Sequence, residues 1–307
     1  MKKGEWVVPE YINVEVLKKA YREMASAWKP FKPAIQVSAD GEPLLHPKRE
    51  ELLCYPAKIG LDVGLTTNGT LLTEDLVEKM CLAGVNLINV SLDAATEKTY
   101  GIVRPVRFHN FNFFKVVCRN IQNAVKIKNM YNKLGKSKMQ IMINMIQREE
   151  TKNEEDAFVQ LGKELGVDKV TVRPLNTSAG LTPFLEKEVA QSIVRDKWGI
   201  VRFVDGVARH PCHFPFTRFS LTINDENSVK FVYCPHAWDR EEADIGVYPR
   251  DGSLKDLWEG KKLAKIRKSH LTNNFKNNSL CGACADWRLV TGKDQITYAQ
   301  IVKGDFS

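Results

Sequence analysis

Short apolar runs alternate with amphipathic stretches over the first half of the chain. The apolar runs predict strands at 34–37, 62–66, 86–92, 139–146 and 170–172. Between them, apolar side chains at helical spacing predict helices over 13–28, 46–59, 73–84, 111–134 and 154–165. Strands that are apolar almost throughout are typical of a parallel sheet covered by helices. The pattern therefore predicts an α/β fold.

This alternation ends after Pro174. The segment from 175 to 210 is irregular, and the rest of the chain is rich in Cys, Trp, Asn and Gly and contains short strands. We therefore predict a first domain over 1–180, a linker over 181–209, a cysteine-rich domain over 210–290 and a tail over 291–307.

Composition and charge are typical of a globular protein and argue against membrane, secreted and nucleic-acid-binding proteins. Hydrophobic residues make up 43% and charged residues 27%, which are ordinary globular values. No run of 18 apolar residues predicts a membrane span, and residues 1–6 do not resemble a secretory leader, so we expect a cytoplasmic protein without a membrane partner. The net charge is +8, but the densest basic stretch, 126–138, is typical of a solvated helix face, and we expect no nucleic-acid partner.

Polar residues follow the predicted strands where each strand ends. In a parallel α/β fold these ends share one rim, where ligands bind. Each residue alone is typical of a turn or a helix cap, but their joint placement indicates a ligand site. The candidate residues are Gly41, Glu42, Pro43, Asn68, Ser91, Asp93, Asn144 and Arg173.

Three of these segments resemble the motifs of radical S-adenosylmethionine (SAM) enzymes. The Asp40-Gly41-Glu42-Pro43-Leu44-Leu45 segment is similar to their Gly-Gly-Glu-Pro motif. The Thr67-Asn68-Gly69 and Ser91-Leu92-Asp93 segments are similar to their next two strand ends, in the family's order. The resemblance implies a partial (β/α)6 TIM-like barrel, N-terminally incomplete, followed by a small cysteine-rich domain.

The resemblance also implies a SAM site on the rim. The backbone of Gly41, Glu42 and Pro43 corresponds to the part that receives the amino group of SAM. Ser91 and Asp93 correspond to contacts with the ribose hydroxyls. Asn144 and Arg173 are weaker candidates for contacts with adenosine and carboxylate, and Arg173 could equally pair with a structural acid.

The seven cysteines fall into two groups. Cys54, Cys81 and Cys118 are isolated in apolar surroundings and are interpreted as buried residues. The other four are near the C-terminus, and an odd total without a leader argues against a disulfide framework. Four thiolates suit an iron–sulfur cluster or tetrahedral zinc, and spacing alone does not separate these. The predicted ligands are Cys212, Cys234, Cys281 and Cys284.

The segment around these four cysteines resembles the SPASM domain that many radical SAM enzymes carry at their C-terminus. The resemblance implies an auxiliary 4Fe-4S cluster rather than zinc. His213 and His236 lie beside ligand cysteines in sequence and could replace them, but we interpret both as neighbours of the site.

One family motif is missing. Radical SAM enzymes hold their catalytic cluster with Cys-x-x-x-Cys-x-x-Cys between the first strand and the first helix, and no cysteine precedes the helix predicted from Asn13. Either the chain is a shortened form of a complete enzyme, or it is a degenerate homologue. The retained rim motifs favour shortening. In either case we expect no SAM cleavage by these 307 residues alone.

The family resemblance implies reductive SAM cleavage and radical modification of a substrate in the complete enzyme. A peptide or protein substrate is the first expectation, with flavodoxin or ferredoxin as electron donor. The alternative is a non-catalytic binding or scaffold protein in which the four cysteines hold zinc or an iron–sulfur cluster.

Overall fold

The structure is a computed structural model, and it describes residues 11–30, 32–38, 41–105, 113–174 and 211–284. The side chains of Arg173 and Pro174 lie outside that description, as do Asp40, the predicted linker and the predicted tail. Within the described residues, no helix combines the length and the apolar character that crossing a bilayer requires.

The first part of the chain alternates strands and helices as predicted. The strands are β1 Ala34–Val37, β2 Asp62–Thr67, β3 Leu87–Ser91, β4 Gln140–Gln147 and β5 Lys169–Pro174. The helices are α1 Val14–Ala27, α2 Arg49–Lys58, α3 Glu74–Ala83, α4 Glu97–Val103, α5 Phe113–Lys133 and α6 Glu155–Leu165. Single turns of 3-10 helix lie at Pro43–Leu45 and Glu149–Thr151.

Local chemistry fixes most of these boundaries. The side chain of Asn13 accepts a hydrogen bond from Glu15 N at the start of α1, and that of Thr73 accepts one from Leu76 N at the start of α3. Gly84 ends α3 and Gly166 ends α6 in the left-handed conformation that glycine adopts most easily. The helix expected over 46–59 begins later, at Arg49, because the 3-10 turn precedes it.

The five strands form one parallel sheet in the order β1-β2-β3-β4-β5. This sequential order is that of an arc of a (β/α) barrel, whereas a doubly wound sheet reverses its strand order. Helix α6 covers one face: a Cβ built on Gly162 would lie 2.2 Å from Val170 and 3.4 Å from Ile143. Asn144 and Thr171 are the next residues along the same strands, so they face the other side of the sheet.

The cysteine-rich part is a small antiparallel module. Strands β6 Ser220–Asp225, β7 Ser228–Val232 and β8 Asp244–Tyr248 form a sheet in the order β6-β7-β8. Around it lie a 3-10 turn at Glu241–Ala243 and helices α7 Phe214–Thr217, α8 Leu254–Glu259, α9 Lys261–Leu271 and α10 Ser279–Ala283. The short strands were expected, whereas the helices were not.

The module packs against α1. The ring of Phe219 stacks on Phe231 with centroids 4.4 Å apart and contacts Trp28, just after α1, at 6.3 Å. At the same contact the backbone N–H of Lys255 donates to Glu23 Oε1 at 3.1 Å. The two parts of the molecule therefore share one continuous apolar core.

Candidate functional site

The carboxylate of Glu42 joins the turn after β1 to the turn after β2. Its Oε1 accepts hydrogen bonds from Leu44 N at 3.0 Å and from Thr67 Oγ1 at 2.6 Å. Its Oε2 accepts one from Asn68 N at 2.7 Å. Both oxygens are thus used within the protein, and any ligand contact of this turn falls to its backbone.

Gly41 is the exposed residue of the turn after β1. The carbonyl of Glu42 accepts from Leu45 N at 3.0 Å, and that of Pro43 accepts from His46 N at 3.1 Å. No backbone hydrogen bond within the described residues uses the carbonyl of Gly41, which is exposed. A Cβ built on Gly41 would meet no atom within 4 Å. Among the three predicted backbone contacts, Gly41 is therefore the one whose carbonyl has no backbone partner in the described part of the chain.

The turn after β2 is held by its own side chain. Asn68 Oδ1 accepts from Thr70 N at 2.9 Å and from Thr70 Oγ1 at 2.6 Å. Gly69 follows with φ +78°, and a Cβ on it would lie 2.8 Å from Val90 Cγ1. Asn68 therefore shapes the rim, because its side-chain oxygen is already occupied.

Both carboxylate oxygens of Asp93 also accept hydrogen bonds from within the protein. Its Oδ2 accepts from both Nε and Nη2 of Arg104, and its Oδ1 accepts from Ile146 N at 2.9 Å. The residue is buried and has φ +60°, a left-handed conformation that aspartate tolerates better than most side chains. The carboxylate predicted to meet a ribose thus ties the end of β3 to β4 and α4.

Asn144 has an unused acceptor next to Ser91. The two residues are register partners on β4 and β3, and Asn144 Nδ2 donates to Ser91 Oγ at 3.3 Å and to Asn89 Oδ1 at 2.8 Å. Asn144 is 1% exposed, and its Oδ1 has no hydrogen-bond partner among the described residues. A buried acceptor left unpaired costs about 1–3 kcal/mol, so a ligand donor at this position would relieve the cost.

A row of polar side chains that the sequence analysis did not single out continues from Asn144 along the same face. Asn89 Nδ2 and Gln36 Nε2 both donate to Thr66 Oγ1, at 3.3 and 2.8 Å. On the other side, Asn144 pairs in register with Thr171, whose buried hydroxyl has no partner among the described residues. The row thus has unfilled hydrogen-bonding capacity at its β4–β5 end.

Arg173 lies two residues further along β5, opposite Ile146 of β4. Its side chain lies outside the described residues, and so does Asp40.

The four C-terminal cysteines come close enough to interact electrostatically. Burial raises the pKa of the Cys234 thiol well above its ordinary range, and Cys212, Cys281 and Cys284 raise it further. Cys281 lies in α10 and Cys284 directly follows that helix. Within the described residues, no three His, Cys, Asp or Glu side chains stand in the arrangement that a shared metal ion requires.

The surroundings of these thiols are aromatic and basic. Both His213 and His236 contact the ring of Phe214 edge-on, with centroids 4.6 and 4.9 Å away. Burial lowers the pKa of Arg218, and the nearby Cys212 acts in the opposite direction. The backbone N–H of Cys212 donates to His270 Nδ1 at 3.3 Å. The partly buried guanidinium of Arg218 thus lies near the Cys212 thiol.

The three remaining cysteines, which the sequence analysis interpreted as buried, lie on three different helices. Cys54 of α2 and Cys81 of α3 are buried, and Cys118 of α5 is partly buried. Burial raises the pKa of Cys54 to about 11 and that of Cys118 to about 11. These thiols are poor nucleophiles at neutral pH.

Comparison with known proteins identifies the first domain. Residues 6–146 match the Radical SAM superfamily. This part of the chain is a radical SAM superfamily domain. The match covers β1 to β4 and therefore includes all the rim residues except Arg173.

Two curated proteins resemble this chain over different lengths. The chain is 24% identical over 278 residues to the tungsten-containing aldehyde ferredoxin oxidoreductase cofactor-modifying protein of Pyrococcus furiosus, covering 80% of this chain and 73% of that protein. It is 45% identical over 78 residues to the AdoMet-dependent heme synthase of Methanosarcina barkeri. That alignment covers 25% of this chain and spans only 21% of the heme synthase.

A solved structure extends the similarity of fold beyond the matched residues. The crystal structure of Streptococcus suis SuiB bound to its precursor peptide SuiA superposes with a TM-score of 0.59 at 13% identity. The superposition covers 92% of this chain and 64% of SuiB. At this identity the likeness concerns the fold alone.

Proposed function

We propose that this chain supplies the SAM-binding domain and an auxiliary iron–sulfur module of a radical SAM enzyme that modifies a peptide or protein. The observation that carries the SAM site is the buried Oδ1 of Asn144 beside Ser91, which has no hydrogen-bond partner among the residues that the structure describes. A superfamily domain over residues 6–146 supports the same interpretation.

The rim residues have different roles in this proposal. The carbonyl of Gly41 accepts from the ammonium group of SAM, which has only donors to offer. Asn144 Oδ1 accepts from an N–H or O–H of the adenosine, and Ser91 offers its hydroxyl beside it. Glu42, Asn68 and Asp93 hold the turns that present these groups, and Arg173 is the proposed partner of the carboxylate of SAM.

With a catalytic cluster bound, the family's chemistry is reductive cleavage of SAM followed by hydrogen abstraction from a substrate. Residues 1–307 contain no Cys-x-x-x-Cys-x-x-Cys to hold that cluster. We therefore expect these residues alone to bind SAM without cleaving it. Adding a loop with that motif before α1 should restore cleavage.

Cys212, Cys234, Cys281 and Cys284 are the proposed ligands of the auxiliary 4Fe-4S cluster. Four soft sulfur donors suit such a cluster, and their mutual electrostatic effect on Cys234 supports a shared site. Ligand sets of this kind close when the metal binds, because the coordination energy orders the thiolates. Zinc is the competing occupant, since four thiolates fit it equally well.

A peptide or protein substrate is proposed because the fold matches that of SuiB bound to its precursor peptide. The cofactor-modifying relative supports a second candidate, a bound cofactor as substrate. We further propose a cytoplasmic location and reduction by flavodoxin or ferredoxin.

Two measurements test the proposal on the full chain. Anaerobic reconstitution with iron and sulfide should give one four-iron cluster per chain, whereas a colourless protein holding one zinc ion would contradict the cluster. Calorimetry should show SAM binding that Asn144→Leu weakens about tenfold, the value of one buried hydrogen bond.

Asn132 of α5 offers a matched control for the SAM measurement. Its Oδ1 also lacks a partner among the described residues, but its Nδ2 donates to Met139 O, just before β4 and at the opposite edge of the sheet. Asn132→Leu should leave SAM affinity unchanged. Equal losses in both variants would mean that Asn144 has no direct contact with the ligand.

A further inference from the structure

Hydrogen bonds on the face of the parallel sheet opposite α6 decide which atom of Asn144 is available to a ligand. Asn144 Nδ2 carries two hydrogens, and both are used, because it donates to Asn89 Oδ1 at 2.8 Å and to Ser91 Oγ at 3.3 Å. Its Oδ1 is left over, without a partner in the described part of the chain. A ligand that meets this amide therefore meets an acceptor.

Asn89 holds the Asn144 amide in this orientation from the neighbouring strand β3. The Nδ2 of Asn89 donates to Thr66 Oγ1 at 3.3 Å, and its Oδ1 accepts from Asn144. Gln36 Nε2 donates to the same Thr66 oxygen at 2.8 Å. Since the N–H end of the Asn89 amide is bonded to Thr66, its oxygen is directed towards Asn144. Without an acceptor at position 89, the amide of Asn144 would be free to turn over and present its N–H groups to a ligand.

Thr171 adds a second buried polar group next to this oxygen. It is the register partner of Asn144 on β5, so the two side chains share one face of the sheet. The residue is 9% exposed, and its hydroxyl has no hydrogen-bond partner among the described residues. A hydroxyl donates or accepts according to what it meets, whereas an amide oxygen only accepts. Thr171 therefore suits either kind of ligand atom, and selectivity depends on Asn144.

We propose that Asn89 is a positioning residue that makes this site select adenine, because it holds Asn144 Oδ1 towards the 6-amino group of the base. The inference rests on the proposed function, since it requires the adenosine of SAM at Asn144. The 6-amino group donates and would satisfy the buried oxygen. A 6-oxo purine presents a carbonyl oxygen at the same place, so two acceptors would face each other without a donor and away from water.

The test compares SAM with S-inosylmethionine, which carries hypoxanthine in place of adenine, in calorimetric titrations of the full chain. The wild type should bind SAM about tenfold more tightly, the value of one buried hydrogen bond. Asn89→Leu removes the acceptor of Asn144 Nδ2, so the two dissociation constants should become similar. Asn89→Asp keeps an acceptor at the same place and should retain the preference for SAM.

Two further variants separate positioning from direct contact with the ligand. Thr171→Val removes the hydroxyl and should weaken the binding of both ligands by a similar factor, which leaves the ratio of their affinities unchanged. Asn132→Leu removes an amide at the opposite edge of the sheet and should change neither affinity. Far-UV circular dichroism checks that each variant is folded.

Equal affinity of the wild type for the two ligands would overturn the inference and leave the SAM site standing. Absence of SAM binding to the wild type would overturn the proposed function, and the inference with it. A preference that survives in Asn89→Leu, or that is lost in Asn89→Asp as well, would contradict the positioning role of Asn89.

A second variant covers the case in which Asn89→Leu does not fold. Thr66→Val removes the acceptor of Asn89 Nδ2 and leaves Asn89 itself in place. Because the Asn89 amide is then free to turn, this variant should also lose most of the preference for SAM. An undiminished preference would show that the hydrogen bonds from Thr66 to Asn144 do not set the selectivity.

Discussion

Arg104 donates two hydrogen bonds to a single oxygen of Asp93, from Nε at 3.0 Å and from Nη2 at 2.5 Å. The other oxygen of Asp93 is taken by the backbone N–H of Ile146. The carboxylate is buried, so its charge depends on Arg104 for compensation. This pair sets the shape of the rim between β3 and β4.

Replacing Arg104 should therefore destabilise the first domain. Arg104→Met leaves a buried carboxylate without its counter-ion, and because the guanidinium is 29% exposed, we expect the free energy of unfolding to fall by about 2–3 kcal/mol. Urea denaturation measures the change. Lys152→Met, which breaks the exposed ion pair with Glu149, should cost less than about 1 kcal/mol. Similar losses in both variants would argue against a structural role for the Asp93–Arg104 pair.

Removing the Asp168 carboxylate should destabilise the protein more than removing the Lys128 ammonium group with which it forms an ion pair. The Lys128 side chain is 4% exposed and that of Asp168 is 33% exposed, with Nζ and Oδ1 2.6 Å apart. Asp168→Ala strands a buried ammonium and also removes the acceptor of Ile141 N, so we expect a loss of about 3–5 kcal/mol. Lys128→Met leaves a carboxylate that water reaches, and its loss should be smaller. The reverse order in chemical denaturation would contradict this reading.

Gly69 should tolerate a methyl group poorly. Gly69→Ala combines a left-handed backbone with a Cβ only 2.8 Å from Val90 Cγ1 and 3.0 Å from Val117 Cγ1, so we expect a loss of about 2–4 kcal/mol. Gly60 has φ +91° and nothing within 4 Å of a built Cβ. Gly60→Ala should thus show the backbone strain alone, about 1–2 kcal/mol. Thermal unfolding of both variants separates the two contributions, and equal losses would mean that α5 shifts to make room.

The free energy of unfolding should fall in alkaline solution, in part because the Cys54 thiol ionises more easily in the unfolded chain than in the folded protein. Burial raises the pKa of its thiol from 9.0 to about 11, so unfolding favours the thiolate above pH 9. The stabilisation is fully present below pH 9 and is lost as the pH rises to about 11, to the extent of about 2 kcal/mol. Cys54→Ala should flatten this part of the curve of unfolding free energy against pH. A slope identical to that of the wild type would contradict the assignment.

Most of the sheet could be predicted because its signals are local. Each strand is a short apolar run, and turn or cap residues such as Asn13, Thr73, Gly84 and Gly166 mark the adjoining helix ends. Helix α9 was missed because its buried face is narrow: among its residues only Leu263 and His270 are buried. Without a wide apolar stripe the periodicity of a helix is weak.

The strand ends that carry the candidate residues could be predicted from the sequence, but the contacts that each of these side chains makes could not. The partners of Asp93 lie 11 and 53 residues away in sequence, at Arg104 and Ile146. Whether a polar side chain faces a ligand or a neighbour depends on such contacts, which no local pattern encodes. Likewise, the polar row from Thr66 to Thr171 emerges only once strand register is known.

The hydrogen bonds by which Glu42 joins the turns after β1 and β2 have a consequence for the affinity of a ligand. Because the two oxygens of Glu42 fasten the first turn to the second, the backbone from Glu42 to Leu44 and at Asn68 is already ordered, and a ligand bound at these turns as proposed would not have to order it. Ordering a loop on association would consume part of the binding free energy. For the two turns that Glu42 joins, that entropic loss has already occurred during folding, so a ligand bound there as proposed would keep more of the free energy of its contacts as affinity.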